Sequence, residues 1–299
     1  MHAKRFCWNR GKRSPFCGPR NFRLFYAARL QDRPWMKIQR RQRPIALSVG
    51  GSDSGGGAGI QADLKMFTAL GVHGTTAVTC ITAQNPTGVF GVQAVRPQLL
   101  EQQLRAIFDE LPPAAAKTGM LYSAPLIRVV ARCWTRYPNV PLVVDPVMVA
   151  TSGAVLLQPA AIRALQEELL PRATLLTPNL DEAALLVGRP LRTPEDLRLA
   201  ARELHARFGC AVLVKGGHLR GMIEAMDIFH DGSQEWLLLA PFVQGVSTHG
   251  TGCTYAAAIT ARIAMGDSLA VAVRRAKQAV TGAIARSYRI GRGHMALCP

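Results

Sequence analysis

An open α/β fold, with a mostly parallel central sheet flanked by helices on both faces, is predicted for this chain by three observations. From Pro44 onward, short apolar runs alternate with longer segments of helical period, which is the rhythm of βαβ units. Several of those runs pass straight into polar or glycine-rich residues, as parallel strands do where their carboxyl ends meet a ligand. The chain has 299 residues and 48% hydrophobic content, enough to bury one large core, and no internal repeat or low-complexity linker divides it.

The elements follow in order. A strand over Ile45 to Val49 ends at Gly50-Gly51-Ser52-Asp53 and leads to a helix over Ile60 to Leu70. A strand over Gly74 to Thr82 runs into Gln84-Asn85, and a helix spans Pro97 to Asp109. Next come a strand over Ala116 to Leu121, a helix over Ala124 to Tyr137, and a strand over Leu142 to Asp145 that ends in Asp145-Pro146. A helix over Pro159 to Leu170 precedes a strand over Thr174 to Thr177, which runs into Pro178-Asn179. Helices over Leu180 to Val187 and Pro194 to Phe208 lead to a strand over Ala211 to Lys215, ending in Lys215-Gly216-Gly217. A hairpin over Ala225 to Leu239 and helices over Thr254 to Met265 and Ser268 to Tyr288 close the chain. Polar residues at so many strand ends are expected to converge on one site.

The formal net charge of +17 raises the question of a nucleic-acid partner, and its distribution answers it. Residues 1 to 43 hold 13 of the 36 Lys and Arg with a single acid, Asp32, which leaves 23 basic against 18 acidic residues in the rest. That first segment mixes Arg with Trp, Phe and Tyr, keeps no helical or strand period, and lacks a signal-peptide core. It is read as a disordered basic extension, with residues 44 to 299 as one domain. Met36 would serve as a natural start just before the first strand, and an Arg-rich transit peptide is the alternative. No nucleic acid is expected as a partner. Seven cysteines, an odd number, form no Cys-x-x-Cys pair, which argues against a disulfide framework or a zinc site. Without a signal peptide or an apolar run of membrane-spanning length, the expected compartment is the cytoplasm, away from membranes.

Two glycine-rich segments carry the chemistry. Gly50 to Gly59 lies between a strand and a helix, but it has neither the Lys-Ser/Thr of a Walker loop nor the glycine spacing of a dinucleotide fingerprint. Its glycines permit close approach of backbone to some other ligand, or form a tight turn. Thr248-His249-Gly250-Thr251-Gly252-Cys253-Thr254 precedes an Ala-rich helix. Unpaired backbone N–H groups there, with the positive end of the helix dipole, suit a transferring phosphoryl group. The dipole would favour the Cys253 thiolate and make it a candidate base, with a buried inert cysteine as the alternative. Asn179 and Glu182, three residues apart, share a helix face and are candidates to order magnesium-bound water together with Asp145; a simple helix cap gives the same pattern.

Taken together and in register, Gly51 to Asp63, Ala83-Gln84-Asn85, Gly119-Met120, Asp145-Pro146-Val147-Met148, Thr177-Pro178-Asn179, Val214 to His218 and His249 to Thr254 resemble the bacterial hydroxymethylpyrimidine and phosphomethylpyrimidine kinases of thiamine biosynthesis. The resemblance covers residue 44 to about 290 and implies a ribokinase-like fold. It also implies two successive phosphorylations at one site, ATP and Mg2+ as cofactors, and a homodimer. By the same resemblance Gly51, Ala58, Gln84, Met120 and Val147 would line the pyrimidine pocket with Cys253, and Asp63 would fix the glycine loop or its helix beside them. The Gln84 amide offers a donor and an acceptor side by side, complementary to an aminopyrimidine edge. Lys215, Gly217, Thr248 and His249 would meet the nucleotide, and the backbone of Gly250, Thr251, Gly252 and Cys253 would hold the transferring phosphate. Tyr255, where the family usually has Leu or Phe, and the tail from Gly291 to Pro299 depart from the pattern. A pyridoxal kinase of the same fold is the nearest alternative. Sugar kinases of this fold carry Asp in place of Cys253, and a dinucleotide-dependent dehydrogenase lacks its glycine spacing here.

Overall fold

The structure, a computed structural model, describes residues 42–148, 157–217, 219, 222–243 and 249–299. The expectations placed on residues 1 to 41, and that for Thr248, lie outside the described residues. The main sheet contains β1 (Ile45–Asp53), β2 (His73–Asn85), β3 (Gly88–Ala94), β4 (Ala115–Thr118), β5 (Leu142–Val144), β6 (Leu175–Leu176), β7 (Ala211–Lys215), β8 (Glu224–His230) and β9 (Glu235–Pro241). Their spatial order is β3-β2-β1-β4-β5-β6-β7-β8-β9. Pairing from β2 through β7 is parallel, and β3, β8 and β9 add antiparallel edges. The chain steps from β1 to β2 on one side and later returns to β4 on the other. That reversal beside β1 is the kind of switch point where open α/β sheets bind ligands.

Among the described residues eight α-helices cover the sheet: α1 (Gly59–Ala69), α2 (Pro97–Glu110), α3 (Ala124–Arg136), α4 (Pro159–Ala164), α5 (Leu180–Val187), α6 (Pro194–Phe208), α7 (Thr251–Ala264) and α8 (Leu269–Ala285). Strand alternation divides them into two layers. Val212 and Val214 of β7 point into one core with α2 to α6, while Ala211 and Leu213 point into the other with α1, α7 and α8. Successive small residues in α7, Ala256 to Ala258, are fully buried and let this helix lie close to the sheet. Among the described residues no helix is long and apolar enough to cross a membrane.

Where sequence and structure differ, local physics explains it. The half-exposed β3 contains Gly88 and Gly91 and reads as loop in the sequence. The helix expected over Pro159 to Leu170 is α-helical only to Ala164, then widens to a π turn over Leu165–Leu169 and tightens over Leu170–Arg172 around Pro171. The last helix ends at Ala285, and the tail forms a small hairpin of β10 (Tyr288–Ile290) and β11 (His294–Ala296). Most relevant to the site, α7 begins at Thr251 rather than Thr254, with Gly250 as its N-cap in the left-handed region at φ 80°. Thr251, Gly252 and Cys253 are therefore the first turn of the helix and not a loop before it.

Candidate active site

Sheet order lays the candidate residues along one edge. Gln84 ends β2, Gly51 lies near the end of β1, Met120 follows β4, Asp145 follows β5, Asn179 follows β6 and Lys215 ends β7. Because β8 is antiparallel and pairs Asp227 with Lys215, its beginning lies at the same edge, as does the end of β9 at Pro241. Together with the first turn of α7, all of these residues line one cleft with a volume of about 320 Å³. Every described residue predicted for the site lines it.

At the β1 and β2 end, Asp53 organises the glycine segment. Its Oδ1 accepts the Gly55 amide at 2.8 Å, and its Oδ2 accepts those of Gly57 at 3.0 Å and Ala58 at 2.8 Å. Burial opposes ionisation, but His249 and these amides hold the carboxyl below its ordinary range. Gly59 adopts φ 57°, and a side chain there would run into the Gly51 carbonyl oxygen, so this turn requires glycine. Gln84 is anchored through its backbone, which exchanges hydrogen bonds with the Ser54 hydroxyl at 2.7 and 2.8 Å, while its amide faces the cleft. Replacing Asp53 by Ala is expected to cost about 2 kcal/mol of stability and to weaken binding of a ligand held against this loop about tenfold; denaturant melts and binding or rate titrations check both.

Of the two roles offered for Asp63, holding the glycine loop or its helix, the contacts match the second: its carboxylate in α1 accepts Ser48 Oγ of β1 at 2.6 Å and Lys117 Nζ of β4 at 2.9 Å through both oxygens, and Asp53 holds the loop. His249, which also lines the cleft, stands with its Nε2 3.7 Å from Asp53 Oδ2 and packs against Gly57, beside the glycine loop.

The first turn of α7 faces the middle of the cleft. A side chain on Gly250 would collide with the Gly57 carbonyl oxygen, which shows how closely the two glycine-rich segments touch. The Thr251 hydroxyl oxygen is buried without a partner, and the helix start leaves N–H groups unbonded, so the turn has donors to spare for an anion. Cys253 is half-buried by surface, yet its sulfur lies deep enough that burial pushes the thiol up to about 11, against the pull of Lys117. The expected thiolate is thus not favoured in the free protein: desolvation outweighs the helix terminus.

Next to this turn, Lys215 Nζ donates to Asp145 Oδ1 at 2.7 Å, and Thr177 Oγ1 donates to the same oxygen at 3.1 Å. Although burial opposes it, the Asp145 and Glu182 carboxylates hold the Lys215 ammonium above its ordinary value. Asn179 and Glu182 do form a capping box on α5, each side chain bonded to the other's amide at 2.8 Å. The other Glu182 oxygen accepts the Met148 amide at 3.4 Å, and burial pushes this carboxyl up to about 7 despite Lys215. Among the described residues no group of three His, Cys, Asp or Glu could hold a metal directly. The donors at Asp145, Asn179 and Glu182 fit magnesium only through its water shell, which this ion keeps readily.

The far end of the cleft was missed in the sequence. It is an apolar slot of Ala225, Ala240, Pro241, Val243, Val280 and Ile284. Beneath it, buried Asp227 accepts Lys277 Nζ of α8 at 2.7 Å and the Gly216 amide at 3.2 Å, which pins the turn after Lys215 and brings Gly217 to the cleft. Tyr255 packs beside this pair, where burial and the Asp227 carboxylate push its phenol well above the ordinary value. Only a hairpin was legible here, because an apolar slot assembled from β8, β9 and α8 has no contiguous motif. Lys117 was also missed; its one signal is a lysine after two alanines in a strand that is buried along its whole length.

A family model for phosphomethylpyrimidine kinase matches residues 53–298. The hydroxymethylpyrimidine/phosphomethylpyrimidine kinase of Synechococcus elongatus is 48% identical over 251 residues, covering 84% of this chain and 95% of the relative. The thiamine biosynthesis bifunctional protein ThiED of Geobacter sulfurreducens is 46% identical over 252 residues, covering 84% of this chain but only 51% of that longer protein. Among solved structures, the Bacillus subtilis pyridoxal kinase in its ADP complex superimposes with a TM-score of 0.79 at 36% identity, covering 86% of this chain and 97% of that one.

Proposed function

The chain belongs to the phosphomethylpyrimidine kinase family, and from that premise we propose that it transfers the γ-phosphate of ATP to the hydroxymethyl oxygen of 4-amino-5-hydroxymethyl-2-methylpyrimidine, then phosphorylates the monophosphate to the diphosphate used in thiamine biosynthesis. The observation that carries this reading is the first turn of α7, an anion-binding helix start set between a polar pocket and an apolar slot in one continuous cleft. The aminopyrimidine occupies the end lined by Gly51, Ala58, Gln84, Met120 and Val147, where the Gln84 amide pairs with the exocyclic amine and ring nitrogen. The adenine occupies the slot between β9 and α8. Three strand spacings, about 14 Å, separate β5 from β8, which leaves an extended polyphosphate to lie over Asp145, Lys215 and Gly217.

Transfer is by in-line displacement. The amides of Gly250 to Cys253 and the Thr251 hydroxyl bind the equatorial oxygens as charge develops on them, and Lys215 neutralises the nucleotide from the other side. Cys253 takes the proton of the substrate hydroxyl. Magnesium, when bound, neutralises nucleotide phosphate charge; Asp145, Asn179 and Glu182 hold its waters. Glu182→Gln is expected to shift the magnesium concentration for half-maximal rate upward several-fold. A titration curve that matched the parent would remove Glu182 from that role.

The same fold serves a pyridoxal kinase, so initial rates with hydroxymethylpyrimidine, its monophosphate and pyridoxal test the substrate. A higher kcat/KM for pyridoxal would overturn the assignment. We place the enzyme in the cytoplasm as a homodimer; β3 is the edge strand of the described sheet, and Phe90, 70% exposed at its irregularity, together with exposed Ile81 of β2, supports a self-association surface. Light scattering on the purified protein checks the dimer.

A further inference from the structure

Lys117 lies within β4 and is completely buried. Its ammonium donates to both oxygens of Asp63 at 2.9 Å, and Asp63 also accepts Ser48 Oγ at 2.6 Å; Ser48 and Lys117 are direct neighbours in the β1–β4 register. A buried ion pair seldom stabilises a fold more than apolar side chains of equal volume would. Stability therefore does not account for this one, but its location does. Lys117 and Asp63 both border the cleft, and a Cβ on neighbouring Gly119 would lie 3.5 Å from Lys117 Nζ.

Helix α7 packs directly on β4 and brings Cys253 to the same part of the cleft. The groups that face the sulfur are Lys117 from β4, Asp63 and the Gly59 amide from α1, Asp145 after β5, and Lys215 from β7. The Lys117 ammonium lowers the cost of a Cys253 thiolate, and the Asp63 and Asp145 carboxylates oppose it. Asp63 in turn keeps the lysine charged in a place where burial alone would neutralise it.

We propose that Lys117 is a positioning residue for phosphoryl transfer, its ammonium fixed by Asp63 beside the first turn of α7 to supply the counter-charge for the Cys253 thiolate that accepts the substrate proton. The inference rests on the reading of Cys253 as base. In the step, the thiolate takes the hydroxyl proton while an oxygen electron pair forms the new bond to the γ-phosphorus. The bond from that phosphorus to the β,γ-bridging oxygen breaks, its electron pair leaves with ADP, and the resulting thiol returns its proton to water.

The test combines Lys117→Met with the double variant Lys117→Met/Asp63→Asn, in which no buried charge is left unpaired. Cys253 alkylation by iodoacetamide is followed between pH 7 and 9.5 by peptide mass mapping, with Cys298 as internal control, alongside kcat and KM. Both variants are expected to alkylate Cys253 about tenfold more slowly at pH 8, equivalent to one pKa unit, with kcat reduced to a similar degree and the pyrimidine KM within about twofold of the parent. Unchanged Cys253 alkylation in the folded double variant, or a loss confined to KM, would overturn the proposal. The alkylation arm needs no turnover, so a parent enzyme inactive on pyrimidines would sink the substrate reading while slowed alkylation still upheld the coupling of Lys117 to Cys253.

Discussion

Gly250→Ala is expected to reduce kcat/KM by about a hundredfold or more and to lower the melting temperature by several degrees. Two costs combine. At φ 80° an L-residue enters the left-handed region, at roughly 1 kcal/mol. The larger cost is steric, because the new methyl would occupy the space of the Gly57 carbonyl oxygen. Neither segment can yield freely: Gly57 is held by its amide to Asp53, and Gly250 caps a helix packed on the sheet. Relief must therefore separate the anion-binding turn from the alcohol-binding loop, and displacements near 1 Å are enough to cost two orders of magnitude in rate. Steady-state kinetics with thermal melts check this, and a folded variant with near-parental kcat/KM would show that the contact does not position the reaction.

Cys253→Ala is expected to lower kcat about a hundredfold while calorimetric ATP affinity stays within a few-fold, since the backbone donors of the turn remain. The pH profile gives a second signature. With the thiol pushed up to about 11, the thiolate fraction grows tenfold for each pH unit through the neutral range, so kcat/KM of the parent should rise toward alkaline pH. The alanine variant should lose that slope. Unchanged turnover with an unchanged profile would leave the backbone donors as the principal catalyst and withdraw the base from the mechanism.

Much of the fold was legible because its boundaries are set by local chemistry. Helix α5 begins at the Asn179–Glu182 capping box and ends at left-handed Gly188; α6 begins at the Thr193–Asp196 box and ends at Gly209. Both matched the residues expected. β3 was not legible because its glycines and exposure mimic a loop, and its pairing with β2 is a tertiary fact. The site divides in the same way. The glycine segments, Asp145, Lys215 and Cys253 lie where their motifs put them, at strand ends and a helix start. The Lys117–Asp63 pair joins residues 54 apart, and nothing local to either announces the other. The sequence left the Cys253 thiol open between a base and a buried inert cysteine for a related reason: it displays the helix terminus but not the depth of the wall around it.

The ordering of the cleft along the sheet edge has an evolutionary consequence. Gly51, Gln84, Met120 and Val147, at the end we assign to the alcohol, all come from the first half of the described chain, while Lys215, Ala225, Pro241 and Val280, at the end we assign to the nucleotide, come from the second. Mutations that accumulate in the earlier stretch can alter which ring is admitted without touching the grip on the phosphate donor. Recombination near the middle of the gene could exchange one ring specificity for another in a single event. The turn at Gly250, the Lys215–Asp145 pair and the packing of α7 on α1 and β4 have to fit both parents.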